Sequence, residues 1–151
     1  MTVESPSATP RGSRFILRGG LIVTLDDRLD NFIGDILVAN GKIQEVARTI
    51  DGGDAEVIDA IRHIVLPGFV DSHRHIWQSS IRHTGIDWDL PRMFVELFKR
   101  FGPNFRPEDV YAATLFGRLA ALDAGVTTLL DWAHIQNSPD HADEEIGRAH
   151  V

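Results

Sequence analysis

Between residues 14 and 66 the apolar positions fall in short runs and alternations. "RFILRGGLIVTLDD" sets two apolar runs around Gly19-Gly20 and predicts a strand pair or one interrupted strand. In "GDILVANGKIQEVA", Asn40-Gly41 separates two alternating segments. That dipeptide suits a two-residue hairpin turn, because both central residues must accept positive φ. Ile36, Val38, Ile43 and, less cleanly, Val46 alternate with polar or small neighbours, so antiparallel strands with one buried and one wet face are expected. "VIDAIRHIVLPG" predicts two more short strands before a turn at Pro67-Gly68.

From Phe69 the pattern changes to strand, helix, helix, strand. "PRMFVELFKRF" opens with a proline suited to a first helical turn and carries Met93, Phe94, Leu97, Phe98 and Phe101 at helical spacing, a stripe expected in the core. "RPEDVYAATLFGRLAALDAG" predicts a second helix. Pro107, Glu108 and Asp109 suit its positive start, and Gly125 is placed to end it in the left-handed conformation. "VTTLLDWAHI" then reads as a buried strand parallel to the one after Gly68. A helical crossover between parallel strands is an α/β signature, so the expectation is the start of a β/α barrel or wound sheet attached to a small all-β segment.

Composition narrows the function. The chain has 151 residues, 43% apolar and 25% charged, as in soluble globular proteins. A net charge of -7 with no basic stripe argues against a nucleic-acid partner. No apolar run approaches the roughly 20 residues of a membrane-spanning helix. There is no cysteine, so any transition-metal site must use imidazole and carboxylate. That also fits a reducing compartment, and a cytoplasmic protein is expected. "MTVESPSATPRGS", residues 1–13, reads as a solvated Ser/Pro-rich tail.

The candidate chemistry lies in "VLPGFVDSHRHIWQ". Residues two apart point the same way on a strand and nearly opposite ways on a helix. In an extended run His73 and His75 therefore share a face, with Asp71 on it too. Two neutral imidazoles at a strand end can supply two ligands to a divalent ion. A carboxylate such as Asp71 can accept the other N–H of a ligating imidazole. Asp131, Trp132 and His134 close the second strand and are candidates to line a pocket. His83 and Asp87, in the loop after the pair, are weaker candidates. His63 lies before the proline turn, and His141 reads as solvated surface.

"LPGFVDSHRH" followed by "ALDAGVTTLLDW" resembles the N-terminal part of the amidohydrolase superfamily of metal-dependent hydrolases. It is most similar to the cytosine deaminase and chlorohydrolase-like branch, and the likeness runs from Phe15 to about Asp140. The resemblance implies a TIM-like (β/α)8 barrel flanked by a β-sandwich. On that basis residues 14–66 would be the N-terminal part of the sandwich and 67–145 the first β/α elements of the barrel. It implies that His73 and His75 hold a divalent metal, zinc first and iron as the alternative, with later histidines and an aspartate. Metal-activated water would then attack a carbon-nitrogen centre of a small heterocyclic substrate. It further implies that Gln78 contacts substrate and that Trp77 walls an aromatic ring. Arg74 departs from the small residue usual between the two histidines and is expected to point outward, its stem snorkelling to solvent.

Two rival readings remain open at this point. One is ring opening of the dihydroorotase or hydantoinase kind; the other is a catalytically silent fragment or binding module. A barrel needs eight strands and about 250 residues, so this chain is expected to be an inactive piece of a full-length parent, itself a candidate homo-oligomer. "IGRAHV", residues 146–151, is also what a common DNA-sequencing adapter encodes in this frame, ahead of a stop triplet. Those six residues are expected to be artefactual, with Glu145 a candidate seventh, which sets His150 aside.

Overall fold

A buried aspartate organises the first sheet. In the computed structural model, which describes residues 14–146, β1 (Arg14–Ile22) pairs antiparallel with β2 (Phe32–Ala39), and the register slips between Leu17 and Gly20. The two apolar runs are thus one interrupted strand. The slip frees the Gly19 N–H, which donates to Asp35 Oδ1 at 2.9 Å, while Ile50 N–H donates to Oδ2 at 3.0 Å. Both carboxylate oxygens of this buried residue are used, as a buried charge requires.

β3 (Lys42–Ala47) returns antiparallel to β2 through Asn40 and Gly41, both at positive φ (52° and 70°), the geometry of the predicted two-residue turn. β4 (Glu56–Asp59) and β5 (Ile64–Val65) run parallel to β1, giving the order β3-β2-β1-β4 with β5 also on β1. Ile16, Leu37, Ile50 and Ala55 form the core. The expected alternation fails here. Gly34, Asp35, Ile36 and Leu37 are consecutively buried, whereas Ile43 on β3 is 64% exposed. The position of the strands explains this, since β2 is flanked by β1 and β3, and β3 is an edge.

The described residues divide into two compact units between Pro67 and Gly68. The second starts with β6 (Phe69–Arg74), which pairs parallel with β7 (Val126–Asp131). The crossover between them is helical. A 3-10 helix spans Ile76–Ile81, α1 spans Leu90–Val95 and α2 spans Pro107–Asp123. Asp89 caps α1 by accepting from Arg92 N–H at 2.8 Å. Asp109 reaches back to the Arg106 N–H and to its guanidinium, at 3.0 Å and 2.9 Å, and this pairing holds its carboxyl well below the usual carboxylate range. Gly125, at φ 81°, ends α2 as predicted.

The first predicted helix is not uniform. After Val95 it widens into a π-helical turn, Glu96–Phe101, before a 3-10 turn at Gly102–Asn104. The wider turn breaks the 3.6-residue register. Leu97 is buried and Met93, Phe98 and Phe101 pack around it, but Phe94 is 51% exposed and stacks on Phe98 at the rim. β7 also departs from expectation. Leu130 on β7 and Val70 on β6 are exposed, the latter 71%, because no third strand joins this pair among the described residues.

α3 (Pro139–Ile146) closes the unit. His141, expected on the surface, is instead 7% exposed. Its Nε2–H donates to the Phe105 carbonyl at 2.9 Å, so Nδ1 accepts from Ser138 Oγ at 2.7 Å. Glu145 is 4% exposed, accepts from Gln136 Nε2 and faces Asp131. Burial, reinforced by the Asp131 charge, pushes its carboxyl up to about 7. The sequence tail 1–13 and residues 147–151, most of the suspected adapter segment, lie outside the described residues. Among those described, no helix is long and apolar enough to cross a membrane.

Two predictions follow from this packing, the first for the full-length protein and the second for the 151-residue chain that carries Glu145. A Cβ at Gly117 of α2 would fall 2.4 Å from Ser79 Oγ and 2.8 Å from Ile76 Cγ2. Gly117→Val should therefore destabilise by about 1–3 kcal/mol in urea unfolding, through overpacking. Glu145, with its folded pKa raised, binds its proton more tightly folded than unfolded. Stability should therefore fall as pH rises from the ordinary carboxylate range to about 7, by at most about 1.4 kcal/mol per pH unit, and level off above. Glu145→Gln should flatten that slope in melts run across pH.

Candidate metal centre

β6 carries His73 and runs out at Arg74, and His75 begins the 3-10 helix with φ -109° and ψ 82°. The end of β7 holds this turn in place. Trp132 N–H donates to the Arg74 carbonyl at 2.7 Å, and Ile76 N–H donates to Asp131 Oδ1 at 3.1 Å. The two imidazoles meet edge to face, with centroids 5.1 Å apart and planes at 79°. The parallel strands thus bring the pair together at their C-terminal end.

Two further rings adjoin the pair, and a third, Phe98, packs on one of them. The Trp132 indole stacks on His73 at 4.8 Å and 16°. His134 lies 4.8 Å from His75 and 5.2 Å from Phe98. The Trp132 carbonyl is 3.3 Å from His75 Nδ1. A carbonyl only accepts, so Nδ1 carries the hydrogen and the neutral ring presents its lone pair at Nε2. This is how ligating histidines are commonly oriented. Neutral imidazoles are donors of the kind that divalent ions accept. Among the described residues, no group of three or more His, Asp or Glu side chains converges to hold one.

Asp71 takes up a different contact from the one strict alternation implies. Its Oδ2 accepts from Arg74 Nε at 2.6 Å and its Oδ1 from His73 N–H at 3.1 Å. The Arg74 guanidinium, first, and the His73 amide hold its carboxyl below the usual range. A slip makes this possible, because Asp71 opposes Leu129 while Arg74 opposes Asp131, so three steps on β6 match two on β7.

A cavity of about 380 Å³ opens beside His75, and Arg74, Gln78, Arg82, His83 and Trp88 help to line it. Gln78 sits half-buried in its wall. Trp77 needs correction. It is wholly buried, edge-on to Phe105 at 5.4 Å and in the core with Leu97, Val110 and Ile135, so it walls no open pocket. The 3-10 helix turns consecutive side chains to different sides, sending Gln78 to the cavity and Trp77 inward. Asp87 is exposed and His63 lies in the first unit, its Nδ1 3.1 Å from the Ile61 carbonyl. Arg82, with its guanidinium 4.6 Å from the Phe116 ring, was not legible in the sequence, since a lone surface-type cation carries no spacing signal.

Residues 64–148 match the model of the amidohydrolase family. The chain is 34% identical over 124 residues to 5-methylthioadenosine/S-adenosylhomocysteine deaminase of Caldicellulosiruptor saccharolyticus, covering 77% of this chain and 28% of that protein. It is 30% identical over 132 residues to 5'-deoxyadenosine deaminase of Methanothrix thermoacetophila, covering 87% and 32%. Its fold is similar to a variant of atrazine chlorohydrolase from Arthrobacter aurescens solved with zinc and atraton, with TM-score 0.79, 23% identity, and 89% of this chain aligned to 33% of that one. The chain thus spans about three tenths of the length of these relatives. With a family match over more than half of its residues and a relative 34% identical over 77% of it, the chain belongs to the amidohydrolase family.

Proposed function

We propose that this chain forms the first β/α elements of a TIM-like (β/α)8 barrel, preceded by part of a β-sandwich, in a metal-dependent hydrolase that deaminates a small heterocyclic substrate. One observation carries the proposal: two imidazoles meet at the C-terminal end of a parallel strand pair, the end where barrel enzymes place their chemistry. Deaminases of adenosine-type compounds among the relatives support the reaction class.

In this reading His73 and His75 hold the ion, and strands beyond β7 supply further ligands and the groups that move the proton. Zinc suits an imidazole site, and ferrous iron is served by the same donors. A bound divalent cation supplies Lewis acidity that makes water nucleophilic near neutral pH. Gln78, in the cavity wall beside His75, offers both a donor and an acceptor to the edge of a heterocycle. His134, a ring's width from His75, is placed to contact substrate at the same end.

Metal analysis and ammonia release from the full-length protein test this, with 5'-modified adenosines, guanine and cytosine as the substrate panel. The wild type should hold a stoichiometric divalent ion. The double variant His73→Ala, His75→Ala should lose it and fall by at least about a thousandfold in kcat/KM, the equivalent of a few kcal/mol of transition-state stabilisation. A metal-free wild type, or a double variant with undiminished activity, would sink the proposal.

A further inference from the structure

We infer that Trp132 is a positioning residue for the histidine pair, setting both rings before any metal arrives; this rests on the proposed metal-dependent function. Three parts of one residue converge on the site. Its N–H closes the strand ladder on Arg74 at 2.7 Å, its carbonyl accepts from His75 Nδ1 at 3.3 Å, and its indole lies on His73 at 4.8 Å and 16°. Asp131, one residue earlier, takes the Ile76 N–H at 3.1 Å. Two adjacent residues at the end of β7 thereby engage all four residues from His73 to Ile76.

Among the described residues the indole belongs to no core cluster and is 46% exposed. His73 is exposed as well and, without a wall, its ring would sample several staggered rotamers. The flat indole face narrows that choice. The carbonyl selects the tautomer of His75, leaving Nε2 free to donate its lone pair. The two rings are ordered by different means, one by stacking and one by a hydrogen bond, and both means come from the same residue.

Trp132→Ala and Trp132→Phe in the full-length protein separate this role from general stability. The alanine variant should bind zinc about 10- to 100-fold more weakly in chelator competition, the range seen when groups supporting a metal ligand are removed. It should also show an altered cobalt(II) visible spectrum, with the metal-free melting midpoint unchanged. Both variants keep the backbone carbonyl; the phenylalanine variant, which also keeps a flat face, should restore affinity to within about threefold of wild type. In the metal-free wild type, nitrogen-15 NMR of labelled histidine, assigned with His75→Ala, should show His75 protonated at Nδ1. Wild-type zinc affinity in Trp132→Ala, equal loss in both variants, or an Nε2–H tautomer at His75 would overturn the inference while leaving the metal site itself standing. A wild type that binds no divalent ion overturns both.

Discussion

The second unit depends on how β6 and β7 pair. Parallel strands cannot be joined by a tight turn, so the chain between them must cross over, and here it does so through α1 and α2. The strands approach closely enough that a Cβ at Gly68 would fall 2.1 Å from Thr127 Oγ1. The slip between Asp71 and Arg74 then lets the end of β7 meet the turn after β6. Without that slip, the Asp131 carboxylate and the Trp132 carbonyl would not face Ile76 and His75.

Much of this was legible because it is local. Asn40-Gly41 specifies its turn by backbone chirality alone, Pro107 and Gly125 bracket α2 by capping chemistry, and the His73 and His75 rings lie together because a strand end is extended. What was not legible depends on partners distant in sequence. Trp77 is buried by Phe98 and Phe105, and His141 is fixed by the Phe105 carbonyl, 36 residues away. Neither partner can be read from periodicity. The π-helical turn that exposes Phe94 is a hydrogen-bond choice that a 3.6-residue template does not represent.

Asp35, buried, and Asp131, half-buried, show how similar groups serve different ends. Asp35 uses both oxygens on backbone amides, at the slip in β1 and at Ile50, and its work is complete within the first sheet. Asp131 uses Oδ1 on Ile76, while its Oδ2 is buried without a hydrogen-bond partner among the described residues. A carboxylate satisfied on one side only is costly to bury, and its charge adds to burial, the larger cause, in raising the carboxyl of its neighbour Glu145. Such half-satisfied groups are concentrated at sites more often than in ordinary cores.

Arg74 connects the departure in sequence to the geometry of the pair. Where a small residue would leave the Asp71 carboxylate free to turn toward an imidazole, the guanidinium takes it at 2.6 Å. His75 Nδ1 is met by the Trp132 carbonyl, at 3.3 Å. A backbone acceptor carries no charge, so it fixes the tautomer without adding the negative potential that a carboxylate would bring to a ligating imidazole. The arginine between the two histidines thus occupies the Asp71 carboxylate, while the residue after β7 supplies the acceptor at His75.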